Sequence, residues 1–189
     1  MKDLLSEIKK CTICQEKLEL GPNPVMAASE NSKIVIIGQA PGKKVHESGI
    51  PWDDKSGDRL REWLGVTKEQ FYDPDLIALI PMGFCYPGKG KSGDLPPTAE
   101  CAPQWHEKLL SKMDAVKLRI LIGNYAQTYY LPESKDQTVT DRVKAFRSFL
   151  PTFVLPHPSP RNNIWLKKNE WFEADLLPEL KATVSGLLD

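Results

Sequence analysis

The chain has 189 residues, 41% hydrophobic and 26% charged, with 25 basic side chains balanced by 25 acidic ones. That size and mixture suit one globular domain over residues 1–189, and a net charge of zero argues against a generally cationic nucleic-acid coat while leaving room for a local basic groove. No apolar run approaches membrane-spanning length and the opening MKDLLSEIKK lacks a signal-peptide core, so the expectation is a cytoplasmic monomer with no membrane partner.

Leu4, Leu5, Ile8 and Lys9 outline a short amphipathic helix that delivers Cys11-Thr12-Ile13-Cys14. A C-x-x-C turns two thiolates toward one metal; a thioredoxin-type redox pair would need a preceding strand, and none is evident. Residues 19–32 read as a loop. Ile34, Val35, Ile36 and Ile37 then form a β-branched run that suits a strand buried on both faces. Gly38-Gln39-Ala40-Pro41-Gly42 breaks it, in the position where open α/β sheets bind ligands. Trp52 is near enough in sequence for the loop to fold back and present an indole face. An ordinary strand–loop–helix connection explains the same residues.

Ser56 is the expected N-cap of a helix carrying Leu60, Trp63 and Leu64, which Gly65 stops, and Thr67-x-x-Gln70 has capping-box spacing. Residues 75–82, DLIALIPM, read as a second buried strand with Pro81 at its end. Cys85, a Gly/Pro/Lys-rich loop and Cys101 follow, leading into a helix expected over 99–114 with a Trp105, Leu109, Leu110 and Met113 stripe. His106 within it reads as an ordinary surface or core histidine. Residues 118–122 read as a third strand, Gly123-Asn124 opens a helix, and 144–149 completes one. A fourth strand, 151–155, runs into Pro156-His157-Pro158-Ser159-Pro160-Arg161-Asn162. A histidine between prolines sits on a stiff loop, a good way to present an imidazole to a ligand. The tail reads as one long helix with Ile164, Trp165, Trp171, Phe172 and Leu176 on its apolar side.

Strands alternating with helices imply an α/β fold: a three-layer α/β/α sandwich around a central, mostly parallel four-stranded sheet. The loops after the first and fourth strands would meet at one end of it. All four cysteines fall into two pairs, Cys11/Cys14 and Cys85/Cys101. Four thiolates suit tetrahedral zinc or a [4Fe–4S] cluster, and spacing does not choose between them; unrelated buried cysteines are the bland alternative.

A strand running into Gly-Gln-x-Pro, paired with a late strand running into His-Pro-Ser-Pro, resembles the uracil-DNA glycosylase superfamily. The order of the cysteines resembles its iron–sulfur branch, families 4 and 5, and the likeness extends over residues 11–162. The resemblance implies a DNA glycosylase that flips uracil or another deaminated base out of DNA and hydrolyses its N-glycosidic bond. It implies a [4Fe–4S] cluster, with zinc as the alternative, on Cys11, Cys14, Cys85 and Cys101. His157 matches the donor to the uracil O2, and Trp52 matches the aromatic residue, usually Phe, that stacks on the base. Gly38, Gln39, Ala40, Pro41 and Gly42 would line the pocket and position water, and Ser159 and Arg161 would belong to the loop that wedges into the duplex.

This chain also departs from the family. Gln39 stands where family 4 has Glu, and Ala40 where family 1 has Asp. Lys43, Lys44 and Val45 replace acidic residues, which leaves His46 and Glu47 as the nearest substitutes for a base. The asparagine that recognises uracil falls on Pro81, which has no side-chain hydrogen bond to give, so excision is expected to be slow or altered in specificity. A non-catalytic nucleic-acid-binding protein on the same scaffold is one alternative, favoured by Pro81, Ala40 and Val45. A small-nucleotide hydrolase, or a phosphate-binding protein with residues 38–42 as an anion loop, is another, although the loop lacks the Lys-Ser/Thr ending of a P-loop.

Overall fold

A computed structural model describes residues 1–188. In chain order the elements are α1 (Lys2–Lys9), β1 (Ile34–Ile37), α2 (Lys43–Ser48), α3 (Lys55–Leu64), α4 (Lys68–Tyr72), β2 (Ile77–Leu79), β3 (Lys89–Gly90), β4 (Gly93–Asp94), α5 (Cys101–Leu110), β5 (Leu118–Ile122), α6 (Gly123–Tyr130), α7 (Val139–Lys144), β6 (Thr152–Leu155), α8 (Asn163–Lys168) and α9 (Leu177–Leu188). Four strands form one sheet in the order β2-β1-β5-β6, every neighbour parallel, with Ile36 opposite Leu79 and Ile120. Helices flank it as an α/β/α sandwich, the expected architecture. The run of β1 is apolar throughout because it is paired on both edges and covered on both faces; its four side chains are all buried. Both chemically loaded loops leave the carboxyl ends of parallel strands, β1 and β6, and therefore emerge at the same end of the sheet.

Local chemistry moves several boundaries. The helix after Trp52 is capped by Asp54, whose side chain accepts from the Gly57 N–H, and Ser56 lies inside it, so the expected Ser56 cap is corrected to Asp54. Thr67 and Gln70 do make the reciprocal capping box. The second strand is only three residues, Ile77–Leu79. The helix expected over 99–114 is Cys101–Leu110, and 144–149 holds the end of α7 and a separate 3-10 turn. The tail is not one helix: α8 ends at Lys168, a π-helical segment runs over Phe172–Leu176, and α9 follows. Asn169 donates from its side chain to the Trp165 carbonyl and accepts from the Trp171 indole N–H, which stabilises the break. Trp165, Trp171 and Phe172 pack on one another across it, while Ile164 is left 69% exposed. Inside the Gly/Pro/Lys-rich loop the chain forms an unforeseen antiparallel hairpin, β3–β4. Among the described residues no helix is long and apolar enough to cross a membrane.

Candidate active site

One cavity of about 480 Å³ opens at the carboxyl end of β1 and β6, and Gly38, Gln39, Ala40, Pro41, Gly42, Trp52, His157, Ser159 and Arg161 all line it. The sequence singled out these nine from two distant stretches, and the parallel sheet brings them together. The tenth residue singled out there, His46, does not line the cavity. It sits on α2 with its ring 6.1 Å from that of Tyr86, and its buried Nδ1 has no hydrogen-bond partner.

The backbone places Trp52 by close approach. Trp52 adopts a φ of 58°, unusual for a bulky residue. A Cβ on Gly57 would lie 1.8 Å from the Trp52 carbonyl oxygen, and one on Gly38 would lie 2.8 Å from the edge of its indole. Both glycines are thus required by the seat of this one side chain. The Tyr72 hydroxyl donates to the same carbonyl at 3.4 Å. The indole then lies beside the imidazole of His157, ring centres 5.7 Å apart and planes 30° from parallel.

His157 is held from several sides. The Ser159 N–H donates to its Nδ1 at 3.2 Å, so the ring proton belongs on Nε2 when the imidazole is neutral. Asn162 donates to the His157 carbonyl at 2.7 Å, and Arg59 donates to the Ser159 carbonyl at 3.2 Å. Burial holds the imidazole below its ordinary pKa, against a smaller opposing pull from Asp54. The ring is therefore neutral at pH 7 with one N–H to give.

The cavity contains residues that sequence reasoning did not single out. Asp54 and Ser56 come from the start of α3, Ser92, Gly93 and Asp94 from the β3–β4 hairpin, and Val25, Pro51 and Asn162 from connecting segments. Asp54 could have been found from its place beside Trp52. The hairpin's only signal was the Ser92-Gly93 pair, a turn dipeptide within an unpatterned stretch. Pro81 lines the cavity too. Its carbonyl is engaged from behind by His106 Nε2 at 3.0 Å, and the Tyr130 hydroxyl lies 2.6 Å from the other ring nitrogen.

Cys11, Cys14, Cys85 and Cys101 line a second, smaller cavity together with Phe84 and Trp105. Burial pushes the Cys85 thiol up to about 11 and the Cys101 thiol up to about 12; the neighbouring cysteines add to both shifts. The Phe84 N–H donates to the Cys101 sulfur at 3.3 Å, and Cys14 donates to the Thr98 hydroxyl at 3.3 Å. Among the described residues no three His, Cys, Asp or Glu side chains converge tightly enough to hold a single metal ion as they stand.

Two comparisons bear on this arrangement. A family model described as the Uracil DNA glycosylase superfamily matches residues 26–181. The chain is also 24% identical over 170 residues to the Type-4 uracil-DNA glycosylase of Thermotoga maritima, an overlap that covers 84% of this chain and 82% of that relative.

Proposed function

The chain belongs to the uracil DNA glycosylase superfamily, and on that footing we propose that it is a DNA glycosylase hydrolysing the N-glycosidic bond of uracil or another deaminated base in DNA. The observation that carries this reading is the neutral His157, its Nδ1 occupied by the Ser159 N–H, beside Trp52 in one cavity. A base flipped from the duplex stacks on the indole of Trp52. As the bond to the sugar breaks, negative charge gathers on the departing base, and the Nε2–H of His157 is the donor for the oxygen that carries it. Residues 38–42 line the same space and position water, while Ser159 and Arg161 contact the strand from which the base came.

The cysteine set fits a thiophilic group, since four thiols and apolar side chains line one cavity. Cys11, Cys14, Cys85 and Cys101 would hold a [4Fe–4S] cluster, with zinc as the alternative. When bound, the group serves as a staple between the N-terminal segment and the loop after β2. We also read residues 1–189 as one domain, supported by the contiguous core among the described residues, and as a monomer. The unpaired cysteines suit a reducing, cytoplasmic compartment.

The test is single-turnover incubation of pure protein with duplex oligonucleotides carrying uracil, hypoxanthine or xanthine. Release of at least one base is expected. Protein that binds these duplexes and leaves every base in place would instead be the non-catalytic binder that Pro81 and Ala40 favour. Hydrolysis of free nucleotides alone would favour the small-nucleotide reading.

A further inference from the structure

Attack of water on the sugar carbon needs an acceptor for the water's proton, and neither the loop after β1 nor the first turn of α2 carries a carboxylate: positions 39, 40 and 45 are Gln39, Ala40 and Val45. Two carboxylates reach the cavity from elsewhere, Asp54 and Asp94. One oxygen of Asp54 is committed to the start of α3, where it accepts from the Gly57 N–H at 2.9 Å. Glu47 faces Lys43 on the outside of α2, and His46 lies outside the cavity.

Asp94 is differently placed. Its Oδ2 lies 3.6 Å from where a Cβ on Gly42 would sit, so the carboxylate comes right up to the loop after β1. The residue that follows it is tied to that loop: Gln39 donates from its side-chain amide to the Leu95 carbonyl at 3.4 Å, a contact an ionised glutamate at position 39 could not make. On its other side the hairpin meets Arg161, whose Nη1 lies 2.9 Å from the Cβ position of Gly93.

We propose that Asp94 is the general base of this site, supplied by the β3–β4 hairpin in place of the carboxylate absent from the loop after β1. The inference rests on the glycosylase reading above. In the step, a water oxygen forms a bond to C1′ while the C1′–N bond breaks. The bonding pair leaves with the base, which departs as an anion held by the His157 N–H, and the water's proton passes to Asp94, which later returns it to solvent. Burial holds the Asp94 carboxyl above its ordinary range, opposed by Arg161 and Lys89 and assisted by Asp54. Tyr86 also feels its charge. A base must be ionised to act, so the excision rate falls as pH is lowered through the raised Asp94 pKa.

The test is single-turnover excision by the full-length protein from pH 4 to 8, on whichever of the uracil, hypoxanthine and xanthine duplexes the wild type processes best. Asp94→Asn should slow excision about 10²–10⁴-fold, the usual range for general-base loss, and should abolish the acid limb of the profile. His157→Ala, slowed for another reason, should keep that limb, and Asp94→Glu should recover part of the rate and restore it. A purely structural role for Asp94 would lower the rate and leave the limb in place, which overturns the assignment, as does an Asp94→Asn variant as fast as wild type. A wild type inert on all three duplexes overturns the glycosylase reading, and this assignment falls with it.

Discussion

Trp52 and His157 touch the same space with different consequences, and substitution should separate them. The indole offers a face to a flipped base, so Trp52→Ala should weaken binding to a duplex with a scissile base by about 1–3 kcal/mol, measured by fluorescence anisotropy. The imidazole offers a donor that matters when charge develops on the leaving group. His157→Ala should therefore lower the single-turnover rate on the order of 10²–10³-fold, while affinity, which depends largely on phosphate contacts, stays near that of wild type. Equal losses of affinity in both variants would show that the two residues share one role. Both were legible in the sequence, since a histidine between prolines and a tryptophan after a glycine-rich break announce themselves. Asp94 was not: nothing in KGKSGD distinguishes a cavity-lining carboxylate from a solvated one, and only the hairpin's fold settles where it points.

At the level of elements, a buried polar chain fixes the end of β6. Gln127, fully buried on α6, donates to the carbonyls of Leu155 at 2.9 Å and Leu121 at 3.4 Å, and accepts from Arg142 at 3.1 Å. Leu155 lies two residues before His157, so this amide anchors the strand from which the His157 loop departs. Gln127→Leu keeps the volume but leaves these partners unsatisfied, and should cost about 1–3 kcal/mol in urea unfolding. His106 supplies a pH signature. Burial depresses its folded pKa from the ordinary 6.5 to about 4. Between those values the unfolded chain binds a proton that the folded one refuses, so stability declines as pH falls through this window, by at most about 1.4 kcal/mol per pH unit. Urea midpoints of wild type should fall more steeply there than those of His106→Gln. Strand β1 was readable because four β-branched residues in a row suit only a doubly covered strand. The tail misled because its aromatic periodicity continues across Asn169, and the break rests on side-chain bonds that no periodicity reports.

Over the whole molecule, the four cysteines gather on one cavity from segments that the sheet does not join. Residues 11 and 14 precede β1, whereas Cys101 begins α5, and a Lys17–Glu100 ion pair crosses the same junction. Anaerobically purified protein should be brown and carry about four irons per chain. Cys101→Ser should lose that iron and raise hydrogen exchange in residues 1–20 while the sheet stays protected. A colourless protein with one zinc would replace the cluster and keep the site. The alternation of strands and helices made the layers legible from the outset, but the strand order β2-β1-β5-β6 emerges only from the pairing. That order also has a consequence for synthesis on the ribosome. Trp52 and the loop after β1 are made early, whereas β6 and His157 come roughly a hundred residues later, on the order of 5–20 s at ordinary elongation rates. Throughout that interval the nascent chain carries Trp52 without the imidazole, so a chain that stops before β6 lacks the donor on which the proposed base excision depends.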